Sequence, residues 1–275
     1  WGFLGAFLFG IIAHKTHFCT MGAISDWINM GSLVRLRAWL LAMAVALLMS
    51  QLLQAIGWID LSASIYLSTN LGIGGHIVGG LLFGVGMTLG GGCGQRTLVR
   101  AGGGNLKSLV VLLVLGLTAY ITLRGLLAGV RIEVFGPLSI DLSEYGLVDQ
   151  SLTGVVAAVS GLAPESVAIG LAVIIGLALL IYTLKDKDFR TSGDGIASGL
   201  VVGLLVAGAW FVTGVVGNDD FDPVRLETLT FIAPVGNMLN YLMTWTGSTI
   251  GFGIAVVFGV LAGSLVYAVT SGNFR

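Results

Sequence analysis

Charge is what this chain has least of. Asp, Glu, Lys and Arg make up 10% of its 275 residues, against roughly 25% in soluble domains. The deficit runs the whole length, with 56% hydrophobic residues and a mean hydropathy of +0.97. Such a chain is a polytopic membrane protein. A net charge of −1 gives nothing for nucleic acid to bind. Cysteine is nearly absent too. Cys19 and Cys93 are the only two, 74 positions apart, which makes neither a CxxC redox pair nor a metal-ligand spacing. The glycine cluster around Cys93 is not a P-loop, lacking G-x-x-x-x-G-K-[ST], and no strand precedes it as a dinucleotide fingerprint needs. Nor do paired carboxylates lie within an apolar stretch to relay protons. Hydrolysis and phosphoryl transfer therefore find no support, and no cofactor or metal is expected.

Apolar stretches are what the chain has instead. Residues 38–59, 71–92, 106–129, 195–216 and 249–271 each reach the ~20 residues a crossing helix needs, and 166–184 is slightly shorter but uncharged. Residues 1–13 are apolar up to His14-Lys15. Two pieces are awkward: 151–163 is too short to cross, and 228–246 is interrupted by Pro234, Gly236 and two asparagines. Short or broken apolar pieces beside full spans read as re-entrant segments, tolerated only where protein or a cavity surrounds them.

Basic residues set the orientation. Lys15, Arg35 and Arg37, then Arg96, Arg100 and Lys107, then Lys185, Lys187 and Arg190 mark three cytoplasmic connections. Between them fall Asp60, then Glu133, Asp141, Glu144, Asp149 and Glu165, then Asp219, Asp220, Asp222 and Glu227. This alternation predicts an outside N-terminus, seven crossings and an inside end at Arg275, provided 151–163 and 228–246 do not cross. Sliding 195–219 onto 2–26 aligns Gly195 with Gly2, Gly203 with Gly10, Phe211 with Phe18, Thr213 with Thr20 and Asp219 with Asp26. Five identities in 25 positions are few in so biased a composition, but the two segments begin crossings of opposite direction, as an inverted repeat requires. The expected fold is an all-α membrane protein of about seven crossings with re-entrant segments and pseudo-symmetric inverted halves. Residues 1–135 would form the first repeat, 136–193 the connection, and 194–275 a second repeat cut short.

Two polar interruptions carry the candidate chemistry. The first is His14-Lys15-Thr16-His17-Phe18-Cys19-Thr20-Met21-Gly22-Ala23-Ile24-Ser25-Asp26. A plain cytoplasmic loop would explain His14 and Lys15. A segment dipping back into the protein better explains two dozen residues between helices that stay largely apolar. The second is Gly90-Gly91-Gly92-Cys93-Gly94-Gln95-Arg96, continuing to Gly104. A flexible turn with arginine anchors is the plain reading. The functional one is an unwound segment whose backbone N–H groups and helix start face an anion. His76 and Arg124 lie near the outer ends of apolar spans and read as interfacial. Trp58, Trp210 and Trp245 read as interfacial anchors.

His17 through Asp26 resembles the first cysteine motif of the YeeE/YedE sulphur-transport family, and Gly91-Gly92-Cys93-Gly94-Gln95-Arg96-Thr97-Leu98-Val99-Arg100 resembles its second. The run on to Leu109 continues that match, and the resemblance covers most of the chain. It implies uptake of thiosulfate, or of related sulphur or selenium species, through the bacterial inner membrane. Re-entrant loops would meet at a central constriction where cysteines pass the substrate by S–H···S contacts. Carried over, Cys19 and Cys93 are the relay thiols, Gly92, Gly94 and Gln95 shape the constriction around Cys93, and Thr20 and Gly22 do so around Cys19. His17, Arg96 and Asp26 stand beside them. A small cytoplasmic sulphur-carrier protein is an implied partner. The family's third cysteine, in a Gly-Cys-x-x-Gly motif, would fall after Arg275. The missing third thiol means either a fragment or a two-thiol member, and Trp1 in place of an initiating Met, with nothing there that reads as a cleaved signal peptide, leads to the expectation of a fragment or an ordered core.

Thiosulfate is a dianion with a soft terminal sulphur. Lysine or arginine neutralising it fully would trap it, whereas conduction needs binding weak enough to release. Neutral thiols and backbone N–H donors meet that need, and a relay thiol must stay protonated. Two other classes compete. A membrane thiol-disulfide oxidoreductase would need Cys19 and Cys93 to approach within disulfide reach. A structural membrane subunit would hold both as inert small hydrophobes.

Overall fold

The computed structural model describes residues 1–218 and 224–274. Asp219, Asp220, Asp222 and Arg275, on which part of the orientation argument rests, lie outside the described residues. Seven helical spans are long and apolar enough to cross a membrane, and the only strands described are a two-residue pair. The protein is an all-α, multi-pass membrane protein.

The chain opens with α1 (Gly2–Thr16), a break at residues 17–19, α2 (Thr20–Met30) and the long α3 (Val34–Ala55). Then come α4 (Ile73–Leu89), a second break at residues 90–93, α5 (Gly94–Gly102) and α6 (Leu106–Arg124). Shorter pieces follow: α7 (Leu126–Phe135) and α8 (Leu152–Ser160), the latter capped by the Ser151 hydroxyl, which accepts the Gly154 N–H at 2.9 Å. α9 (Pro164–Leu184), the single turn α10 (Lys187–Thr191) and α11 (Gly193–Phe211) lead into a π-turn over Val212–Val216. α12 (Ile232–Met243) and α13 (Phe252–Thr270) follow. Asn70–Leu71 pairs antiparallel with Ile140–Asp141, tying the connection after α3 to that after α7.

The α2–α3 boundary falls earlier than the hydropathy predicts. Arg35 and Arg37 belong to the first turn of α3, not to a loop, and pair with Asp26 at 3.2 Å and Asp186 at 2.5 Å. The stretch 106–129 is two helices, parted where Gly125 takes an extended conformation. Trp58 and Trp245 are exposed, as anchors should be. Trp210 is not: it is buried with Ile59 and Leu226 and stands edge-on to Tyr66 at 5.9 Å. A helix end at an interface can still be covered by its neighbours, and hydropathy cannot see that cover. His76 and Arg124 are exposed.

Glycine sets how close the helices come. α1 and α13 run in the same direction: Gly2 faces Phe252, Gly10 faces Val260 and Ser264, and His14 reaches Ser264 and Tyr267. A Cβ on Gly10 would stand 2.5 Å from the Val260 carbonyl oxygen, and one on Gly259 2.5 Å from that of Phe3. Among helices that share an apolar solvent, backbone approach of this kind supplies the packing energy. α11 meets α3 likewise, with Gly199 and Gly203 against the Ala38 and Ala42 carbonyls. On α4 the glycines do the reverse. A Cβ on Gly79, Gly80, Gly84 or Gly86 would meet nothing within 4 Å, and α4 buries no residue against the described remainder.

Candidate functional site

Each cysteine sits where a helix breaks and a short one restarts. In the first break His17 adopts the left-handed conformation (φ 52°), rare for a residue with a side chain. The chain then extends through Cys19, which is the N-cap of α2. Its thiol accepts the Gly22 N–H at 3.5 Å. Serine, threonine or aspartate usually does this work, and sulphur is a weak acceptor. A cysteine here is a poor cap by choice of element. In the second break the left-handed residue is Gly91 (φ 68°), and Cys93 is the N-cap of α5 with no side-chain cap bond.

The two breaks meet. Cys19 Sγ lies 4.0 Å from Cys93 Sγ, both thiols free and buried. Gln95 links them, donating its amide N–H to the Phe18 carbonyl at 3.0 Å and turning its Oε1 toward Cys93 Sγ at 4.0 Å. Gly94 packs under Ile232 of α12, where a Cβ would come within 3.0 Å. Gly92 lies against the Arg96 side chain, 3.1 Å from Cδ to where its Cβ would be. Gly22 leaves room for two guanidiniums: a Cβ there would be 2.6 Å from Arg35 Nη1 and 3.6 Å from Arg96 Nη1. Asp26 is held in its ion pair with Arg35. Thr20 opens α2 beside Cys19. The structure thus gathers Cys19, Cys93, Gly22, Gly92, Gly94, Gln95 and Arg96 around one sulphur pair. Asp26 joins only through Arg35.

Two cavities flank the pair. Cys93, Gly92 and Gly94 line one of about 780 Å³ between α4 and α6, its walls mainly apolar side chains such as Leu82, Val114 and Ile232. His14, His17, Phe18, Arg96, Arg100 and Asn105 are among the residues lining the other, of about 330 Å³. Sequence reasoning put His14 and Arg100 inside its two candidate segments, with Asn105 just beyond, but named none of them as a site residue. Their signal was available, since Arg96 and Arg100 stand one helical turn apart and share a face of α5.

Outside the spanning helices, Asp186 caps α10. The Phe189 N–H and the Arg37 guanidinium hold its carboxyl below the ordinary aspartate range.

A chain of seven membrane-length helical spans that buries two free thiols where two of those spans break is an integral membrane protein. The family model described as sulphur transport matches residues 15–275, and the chain belongs to that family. It is similar to the thiosulfate transporter TsuA of Spirochaeta thermophila, 25% identical over all of this chain and 78% of that protein. It is likewise similar to the thiosulfate transporter TsuA of Escherichia coli, 24% identical over all of this chain and 76% of that one.

Proposed function

We propose that this protein carries thiosulfate, or a closely related sulphur anion, across the bacterial inner membrane, and that Cys19 and Cys93 hand it on. The observation that carries the reading is the buried 4.0 Å approach of two sulphurs from separate helix breaks. Both breaks pack among helices with their thiols buried, as irregular backbone inside a bilayer must be. There a neutral thiol gives a dianion a weak, sulphur-matched contact, and the Gly22 N–H keeps that thiol in place. Gln95 does the same for Cys93, while Gly92, Gly94, Gly22 and Thr20 keep the approach narrow. Arg96 and His17 add positive or polar character to one side only.

Both break segments then act as re-entrant arms of the first half, 1–135, which 136–193 joins to an inverted second half, 194–275. Supporting this, α1 on α13 and α11 on α3 are both glycine-seamed parallel pairs, and the offset of the repeat places Gly203 on Gly10. The basic connections put the ends of α1 and α13 at the cytoplasmic face, where a small sulphur-carrier protein would collect the product.

The test is uptake of labelled thiosulfate by cells lacking their own uptake system, expressing the wild type, Cys19→Ser or Cys93→Ser. Loss in both variants is expected. Undiminished uptake in both would sink the relay. The 4.0 Å separation also suits a thiol-disulfide oxidoreductase, and a gel-mobility shift of the isolated protein on reduction would favour that reading instead.

A further inference from the structure

We propose that the 330 Å³ cavity beside the thiol pair is a second, charge-based binding site for a small divalent oxoanion, where thiosulfate rests after leaving the sulphurs. This rests on the transport reading above and adds a station to it.

The cavity is built for an anion. Two arginines of α5 line it, and among the described residues no Asp or Glu does. None of the three ion pairs among the described residues uses Arg96 or Arg100; Arg35, nearby, is the arginine that Asp26 neutralises. Arg100 makes one long bond to the Gly91 carbonyl at 3.4 Å. Asn105 caps α6 by accepting the Ser108 N–H at 2.9 Å, which leaves its own NH₂ free to donate at the start of a 19-residue helix. Anions favour such a start. The volume far exceeds the ~10–15 Å³ that one water needs, so a small anion fits with part of its hydration.

His14 is held in one orientation. The Ser264 hydroxyl, fully buried, donates to the Val99 carbonyl at 2.5 Å, so it accepts at its oxygen from His14 Nδ1–H at 2.7 Å. Nε2 of a neutral His14 is then an acceptor, and it becomes a donor only with a second proton. Gly103 allows this placement, since a Cβ there would lie 2.6 Å from His14 Cε1. Burial also grades among the lining residues: Arg96 is half-buried, whereas His17 and Arg100 are exposed. Such a gradient draws a dianion from the weak thiol contact toward water without a single deep trap.

The site and the thiols select by different chemistry. Sulphur contacts read the soft terminal atom; a guanidinium pair reads charge and oxygen. Equilibrium binding of labelled thiosulfate to purified protein in phosphatidylcholine vesicles separates them. Wild type and Cys19→Ser/Cys93→Ser should both bind, with sulfate competing in each. Arg96→Gln/Arg100→Gln should bind about tenfold or more weakly, the scale of losing a bond to a charged group. Arg96→Lys/Arg100→Lys, which keeps the charge, should fall between and shows that folding is intact. Equal binding by the glutamine variant, or no competition from sulfate, would overturn the proposal. So would loss of thiosulfate binding on adding anionic phosphatidylglycerol to the vesicles, because the site would then belong to a lipid headgroup. Uptake unaffected by the cysteine changes would end the relay reading yet leave arginine-dependent binding standing.

Discussion

The two helix breaks do the same job with opposite materials. The second is made of glycine: Gly90, Gly91 and Gly92 turn the chain, and Gly91 takes its left-handed conformation without penalty. The first has no glycine at the turn, and His17 adopts nearly the same conformation against the preference of its side chain. The thiols differ to match. Cys19 receives a backbone N–H, whereas Cys93 faces a side-chain carbonyl that Gln95 steadies from across the gap. One break is permissive and the other strained. Strain retained beside a buried thiol points to a position that matters more than the turn.

The sharpest way to break this comparison is through the thiols. Serine is the better N-cap, so Cys19→Ser should leave the melting temperature of the purified protein unchanged or raised. Uptake should nonetheless fall to about a tenth or less, the scale of losing one hydrogen bond to an anion. A parallel fall in stability would make the cysteine structural. Next is the glycine turn. Gly91→Ala places a Cβ at φ 68° and should cost about 1–2 kcal/mol, seen as a lower thermal midpoint. No loss would mean that this break is freer than its geometry implies. Gln95→Leu removes the 3.0 Å bond to Phe18, worth about 1 kcal/mol, and should weaken uptake without abolishing it. If only stability changes, Gln95 staples the breaks and does nothing for Cys93. Smallest is His17→Gly, which relieves the first break. Stability should rise by at most about 1 kcal/mol, the strain relieved less the entropy of a new glycine. A fall would show that the histidine ring holds the turn by its own contacts.

How much of this was legible before folding depended on whether a signal is local. The seven spans were, because a shortage of charge over twenty residues has one physical meaning in a bilayer. Their ends were less so. Arg35 and Arg37 look like loop cations until Asp26 and Asp186 are placed beside them. Nothing in 106–129 announces the extended Gly125, because one glycine in an apolar run costs little hydropathy. The nearness of Cys19 and Cys93 came from the family resemblance alone, since spacing along the chain says nothing of where two breaks meet. His14 opened the first candidate segment without an assigned partner; its orientation follows from Ser264, 250 positions away. The α1–α13 seam had a sequence trace in Gly259-x-x-x-Gly263, which reads as a close-packing face.

That seam joins α1 to α13, far apart in the chain, and it also has a consequence in time. Ribosomes add ~5–20 residues per second, so the stretch from His14 to Ser264 takes on the order of 12–50 s. Throughout that interval α1 and its strained turn sit in the bilayer without the helix that covers Gly10, and His14 lacks the hydroxyl that orients it. Membrane quality control therefore meets this protein first as a half-built thing with a polar break and a free thiol. The order of synthesis makes Cys19 most open to stray oxidation before the transporter exists.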